Sequence, residues 1–461
     1  MTHSSLSGIH LGQFHIVPAV PQWDNQSGTS SHFPFLYFLA ISLLILLGVF
    51  FLLRNLRQRG NSPSSESSSD SNLQEVLADL PILDLDLFLS NSEEWPPKFP
   101  RNLFFLASDK YQLGGSGHRM IPAKKFDKFT AWTASLDNLF VAAFWSEKVT
   151  HNGEDAIPLL VTTRKGKRVV SSVLDGLGGS GASKVTWSSG RAVSNAWEAP
   201  RIVRSAFEAL ATEDPSLEGF SQAIPKGLET IAKTSLTTRA ETLVKSRGLS
   251  SSFSRVLPTT LAGFELNVSN APRLSTFWAG DSRVYLLEPR LGLQVLTLDD
   301  AGDSDAFNSL SSDPPLNNVL CADRLFVIHH RIDELPEKGI VVAATDGCFN
   351  YWPTPPNFEF EILNALKLSR NWEETVSLLG ESISQVTNDD ASMTLSAFGY
   401  QSFEEIQSSF HLRHTWLEEI AYTPLVAIRN SSGSREQFDD YRRSAWNEYK
   451  AGYENRLGDV L

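Results

Sequence analysis

The stretch VVSSVLDGLGG, Val169 to Gly179, carries an apolar run of strand character directly into Asp175 and Gly176. IVVAATDG, Ile340 to Gly347, repeats the pattern and ends on Asp346 and Gly347. Two further acidic pairs, Glu154 with Asp155 and Asp389 with Asp390, lie beside similar apolar stretches. A shared sheet core can therefore bring four distant carboxylate clusters to one end of the molecule. Carboxylates held together repel unless cations neutralise them, and Mg2+ or Mn2+ prefer oxygen ligands. The pattern predicts a hard-cation site holding two divalent ions.

Around these clusters the chain reads as α+β. Leu139 to Trp145, Val169 to Leu174, Leu274 to Trp278, Val284 to Leu287 and Ile340 to Ala344 are expected strands. Apolar residues at three- and four-residue spacing predict helices over Arg191 to Thr212, Leu217 to Lys245 and Trp372 to Val386, with Pro225 kinking or splitting the second. Strands in blocks with helices between them favour a layered architecture over a βαβ repeat, and no internal repeat is visible.

The chain has 461 residues, enough for two or three segments and a substantial core. Its net charge is −13, and no basic stripe stands out to neutralise phosphates, so nucleic acid is not an expected partner. Cys321 and Cys348 are the only cysteines, too few for a disulfide framework or a zinc-ligand set. Cys348 follows the Asp346 motif but lacks the Gly-rich, Arg-terminated loop that would make it a nucleophile, so it reads as a small buried thiol.

Residues 33–53 are uncharged throughout and, as a helix, roughly 31 Å long, the length of a membrane span. A signal peptide needs a basic start, and residues 1–32 contain no Lys or Arg. Arg54, Arg57 and Arg59 follow the span, which predicts a single-pass cell-membrane protein with its N-terminus outside and the remainder cytoplasmic. Residues 54–100 read as a flexible linker, Ser-rich and then acidic. Residues 101–400 read as the folded domain, and 401–461 as a tail of one or two amphipathic helices that either pack back on it or dock a partner.

The order of motifs is also informative. Asn152-Gly153-Glu154-Asp155-Ala156 is followed by Asp175-Gly176-Leu177-Gly178-Gly179, Pro258-Thr259-Thr260, Ala279-Gly280-Asp281-Ser282-Arg283, Thr297 to Asp300, Thr345-Asp346-Gly347 and Asp389-Asp390-Ala391-Ser392. This series resembles the metal-dependent Ser/Thr protein phosphatases of type 2C, the PPM family. The resemblance implies a β-sandwich of two antiparallel sheets flanked by helices, with two Mn2+ or Mg2+ ions in a cleft at one end. It implies that Asp175 bridges both metals, that Gly176 offers its carbonyl, and that Glu154, Asp155, Asp346 and Asp389 complete the set. Ser392 keeps a hydroxyl at the family's spacing after Asp389, which favours Asp389 over Asp390 as ligand.

The implied activity is hydrolysis of phosphoserine or phosphothreonine on proteins by water activated between two metals. Phosphoproteins, and a Ser/Thr kinase near the membrane, are the implied partners. The alternative is a catalytically silent member that binds phosphorylated partners or regulates a kinase at the membrane. Lys148, Thr150 and His151 stand where members commonly carry a phosphate-binding Arg, which leaves Lys148 and His151 as substrate-binding candidates. Leu177 stands where animal members carry a His, so the general acid is a water or His151 and stays unassigned. Asp281 with Arg283, and Asp299 with Asp300, are expected to be structural and away from the metals. Gly178, Gly179 and Gly181 lack the Lys and Ser or Thr of a nucleotide loop and read as permissive backbone.

Overall fold

The structure, a computed structural model, describes residues 103–106, 118–120, 123–150, 152–163, 167–186, 192–211, 220–243, 255–268, 271–301, 307, 315–431 and 433–459. The expected span 33–53, the segment before it and the linker 54–100 lie outside these residues. No helix among the described residues is long and apolar enough to cross a membrane.

Two seven-stranded sheets stack face to face. The first runs, edge to edge, His329–Glu334, Arg273–Ala279, Leu261–Asn267, Arg168–Val173, Leu159–Thr163, Leu103–Leu106 and His118–Met120. The second runs Gly292–Val295, Arg283–Glu288, Gly339–Ala344, Ala391–Phe398, Leu139–Ser146, Phe129–Leu136 and Ala123–Lys125. The expected antiparallel pairing holds with one exception, since Leu103–Leu106 runs parallel to Leu159–Thr163.

Continuous apolar runs form the central strands because both of their faces are buried. In Leu139–Ser146, Leu139, Val141, Ala143 and Trp145 face the core between the sheets, while Phe140, Ala142 and Phe144 belong to a second core under the helices. Val284 and Leu286 alternate with Tyr285 and Leu287 in the same way. The result is four layers: helix, sheet, sheet and helix.

On the outside of the first sheet lie the helices Asn195–Ala211 and Phe220–Leu243. Ser194 caps the first by accepting a hydrogen bond from the Trp197 amide at 2.9 Å, and Phe207 meets Phe277 of the sheet edge-on at 4.9 Å. The second helix is continuous through Pro225, so the expected split is not seen. A proline in the second turn removes only one backbone hydrogen bond there.

Against the second sheet lie Pro355–Leu368, Trp372–Val386 and the helices of the C-terminal tail, Phe403–Leu417, Thr423–Asn430 and Arg435–Tyr453. The tail packs back rather than standing free. Phe403, Ile406, Phe410, Leu417, Trp446, Tyr449, Tyr453 and Leu457 join the same core as Phe144 and Leu395. Its polar anchor is Glu359, which is fully buried and accepts from Arg413 at 2.7 and 2.9 Å, from the Tyr449 hydroxyl at 2.5 Å and from the Leu293 amide at 2.9 Å. One carboxylate thus ties two tail helices to a strand.

Glu359→Ala should cost about 3 kcal/mol or more in chemical denaturation, because it leaves the Arg413 charge buried without its partner. His414, buried beside Phe360 and facing Lys367, Glu418 and His411, is pushed down to about 4 by burial and then by the Lys367 charge. The unfolded chain therefore takes up a proton that the folded chain refuses, and stability falls as pH drops from about 6.5 towards 4, by at most about 3 kcal/mol. Denaturation midpoints across that range should fall less steeply in His414→Gln than in the parent.

Candidate metal centre

At one end of the sandwich a cleft of about 570 Å³ opens between loops leaving both sheets, lined by Glu154, Asp175, Asp281, Asp346, Asp389 and Asp390. Asp155 lies just beneath, fully buried. Glu154 and Asp155 lie on the loop between Leu139–Ser146 and Leu159–Thr163, and the other carboxylates are delivered by strand ends. Asp175 follows Arg168–Val173, Asp281 lies between Arg273–Ala279 and Arg283–Glu288, Asp346 follows Gly339–Ala344, and Asp389 and Asp390 precede Ala391–Phe398.

Backbone and hydroxyl contacts hold these ends together. The Asp175 amide donates to the Thr260 hydroxyl at 3.1 Å, and its carbonyl accepts from the Thr260 amide and the Thr259 hydroxyl at 2.8 and 2.7 Å. That is the work of the Thr259-Thr260 motif, to which sequence alone attached no role. The Thr345 hydroxyl donates to Asp155 at 2.9 Å and accepts from the Ser392 amide at 2.9 Å. Two glycines permit close approach. A Cβ on Gly176 would lie 1.9 Å from the Ala196 carbonyl, and one on Gly347 would lie 1.8 Å from the Asp390 carbonyl. Gly178, Gly179 and Gly181 are not among the glycines of positive φ, but a Cβ on Gly181 would lie 2.9 Å from the Ala196 nitrogen and the Leu177 carbonyl, and one on Gly178 would lie 2.2 Å from the Glu154 carboxylate, so close approach is what this loop asks of glycine.

The two last aspartates differ in employment. Asp390 accepts from the Lys148 amide at 2.7 Å and the Glu154 amide at 2.5 Å, which pins the Glu154 loop to the final strand. The Asp389 carboxylate accepts the Asp390 amide at 2.9 Å and lies near Tyr351. The Lys148 side chain is exposed, with its charge near Asp389, and His151 lies outside the described residues.

Asp281 departs from expectation. It lines the cleft, close enough to Asp346 and Asp175 for their charges to act on one another. The reason is that Arg283 is committed elsewhere: its guanidinium grips Asp299 in two hydrogen bonds of 2.9 and 2.6 Å. Asp299 is structural as expected, and so is Asp300, which accepts from the Gly280 amide, Asn318 and His329. Cys348 is buried, and burial pushes its thiol well above the usual range, as expected for an inert cysteine.

Electrostatically the cleft is short of positive charge. Burial, and then the neighbouring Asp390, pushes Asp155 well above the ordinary carboxylate range. Burial with Asp155 and Asp346 does the same to Asp175, and burial with Asp346 and Asp299 to Asp281. Glu154 and Asp389 are raised, chiefly by burial. Arg201, buried beside Glu154, is spent on the carbonyls of Gly153, Glu154, Asp155 and Trp197.

Among the described residues no group of three or more His, Cys, Asp or Glu side chains already surrounds a single metal position. Asp155 and Asp175 lie close enough for the charge of Asp155 to raise Asp175 further. The donor set nevertheless suits a hard cation. It is all oxygen, and Asp155 Oδ1 and Asp281 Oδ1 are buried without a hydrogen-bond partner.

No family model and no curated protein matches this sequence. Over 56–62% of its length the chain is similar in fold to solved serine/threonine phosphatases. These include the Mycobacterium tuberculosis serine/threonine phosphatase PstP/Ppp, 16% identical with a TM-score of 0.41 over 57% of this chain and 99% of that one. The catalytic domain of PstP in complex with two manganese ions is 18% identical, with a TM-score of 0.40 over 56% of this chain and 97% of that one. Stp1 of Staphylococcus aureus is 15% identical, with a TM-score of 0.41 over 62% and 99% of the two chains.

Gly347→Ala should unfold at a clearly lower temperature in calorimetry. The added methyl meets backbone on the neighbouring strand, not a side chain that can swing away.

Proposed function

We propose that this chain is a membrane-anchored protein phosphatase that hydrolyses phosphoserine or phosphothreonine on proteins with two divalent ions, Mn2+ or Mg2+. The observation that carries the reading is the convergence of Glu154, Asp155, Asp175, Asp281, Asp346 and Asp389 on one cleft without an equal number of basic partners. Cations are the natural complement of such a set. Asp175, Asp346, Asp389 and Glu154, with the Gly176 carbonyl, would hold the ions directly or through water, and Asp155 would support Asp175 from below. Asp281 extends the set.

When bound, the ions would activate water and offset charge on the phosphoryl oxygens. The chain's own groups do the rest. Arg255 and Arg324 line the same cleft, and they are suited to draw a phosphate towards an otherwise acidic wall. Asp390 holds the Glu154 loop against the final strand, so that Glu154 and Asp389 keep a fixed separation. Attack on phosphorus breaks its bond to the Ser or Thr oxygen, which takes a proton from a donor this reading leaves unassigned. With residues 33–53 as anchor, the domain would act at the cytoplasmic face of the cell membrane, on phosphoproteins or a Ser/Thr kinase found there.

Phosphate release from a phosphothreonine peptide should need Mn2+ or Mg2+ and stop with chelator. Asp175→Asn and Asp346→Asn should each lose about a hundredfold or more in kcat. A folded protein that binds Mn2+ yet releases no phosphate would sink this reading in favour of a silent phosphoprotein binder.

A further inference from the structure

Beside the acidic cleft, and sharing Asp389 with it, lies a second groove of about 430 Å³. One wall is the turn from Phe126 to Phe129, closed by the Phe126 amide donating to the Phe129 carbonyl at 2.8 Å and by stacking of the two rings at 4.3 Å. Lys125 precedes this turn and Lys128 lies within it, and Lys148 lines the same groove from the loop that leads to Glu154. The three ammonium groups form no ion pair among the described residues. Three acids line the groove as well, but Glu147 is bound to the Gly153 amide and Asp389 sits where the groove meets the cleft, so the stretch around Phe126 and Phe129 carries Lys125 and Lys128 against Asp127 alone.

Two lining residues also carry unused polar atoms. The Trp132 indole nitrogen and the Ser384 hydroxyl are buried and have no hydrogen-bond partner among the described residues. Trp132 is only 2% exposed, so its orphaned donor is costly unless something at the groove accepts from it.

We propose that this groove binds the stretch of substrate polypeptide next to the phosphorylated residue, and that it selects acidic side chains there. The inference rests on the phosphatase reading above. Unpaired lysines supply the charge preference, the Phe126–Phe129 wall supplies apolar contact for an extended chain, and the Trp132 and Ser384 donors suit its carbonyl or carboxylate oxygens. Because the groove joins the cleft at Asp389, a peptide lying in it would carry its phosphate to the carboxylates.

The test uses the full chain and phosphothreonine peptides flanked by Asp, Ala or Lys, with p-nitrophenyl phosphate as a substrate too small to fill the groove. Acidic peptides should exceed neutral ones in kcat/KM by about fivefold, with the difference shrinking as salt rises. The Lys125→Ala, Lys128→Ala double variant should lose that preference and keep its rate on p-nitrophenyl phosphate. A second readout is anisotropy of a labelled acidic peptide measured in chelator, where the same variant should bind about fivefold more weakly. Lysine-dependent binding without turnover of any substrate would sink the phosphatase reading and leave the groove standing. Turnover and binding that ignore flanking charge, or lysine-dependent capture of phosphatidylserine vesicles in place of the peptide, would overturn the groove proposal.

Discussion

Repulsion among buried carboxylates is the constraint on which this molecule turns. Asp155, Asp175 and Asp281 sit where burial alone disfavours ionisation, and each faces at least one further acid. Left to themselves such groups protonate or move apart, so the scaffold around them has to be stiff. That stiffness comes from backbone. Thr259 and Thr260 clamp both polar groups of the Asp175 peptide unit, Asp390 stitches two loops together through their amides, and Gly347 lets two strand ends meet with no side chain between them.

What could be read from sequence follows burial. Leu139 to Trp145 and Ile340 to Ala344 announced themselves because both faces of their strands are covered, so nearly every residue is apolar. Ala391–Phe398 is equally central and was not recognised as a strand. Its hydroxyl residues Ser392, Thr394 and Ser396 interrupt the apolar run although all three are buried, and Thr394 meets Ser171 of the opposite sheet at 2.7 Å. Leu261–Asn267 was hidden by Glu265, whose charge is absorbed by Arg168 inside the fold. The same logic applies to the site. Asp175 and Asp346 were legible as strand-ending Asp-Gly pairs, whereas Asp281 was set aside because Arg283 two residues on looked like its partner. Only the bidentate grip of Arg283 on Asp299, sixteen positions away, frees Asp281 for the cleft.

The C-terminal helices pose a different problem for sequence reading. Their aromatic residues recur among many charges, a pattern equally compatible with an exposed docking surface and with a packed layer. Glu359 decides between the two from a helix outside the tail. Its single carboxylate needs Arg413 and Tyr449 for compensation, and both come from the tail. Arg413 also lies over the ring of Trp416 at 4.2 Å, so charge and aromatic packing act on the same helices.

The strand Ala391–Phe398 is the seam of the whole domain. It pairs with Gly339–Ala344 on one side and Leu139–Ser146 on the other, and Ser392 reaches back to the Ala156 carbonyl across 236 positions of chain. During synthesis the earlier strands therefore emerge long before the one that joins them, and the core under the helices waits further for Trp446, Tyr449 and Tyr453. Pairings this distant are slow to close and leave edges exposed meanwhile. The acidic cleft accordingly cannot assemble until Asp389 and Asp390 have been made, more than two hundred positions after Glu154 and Asp175.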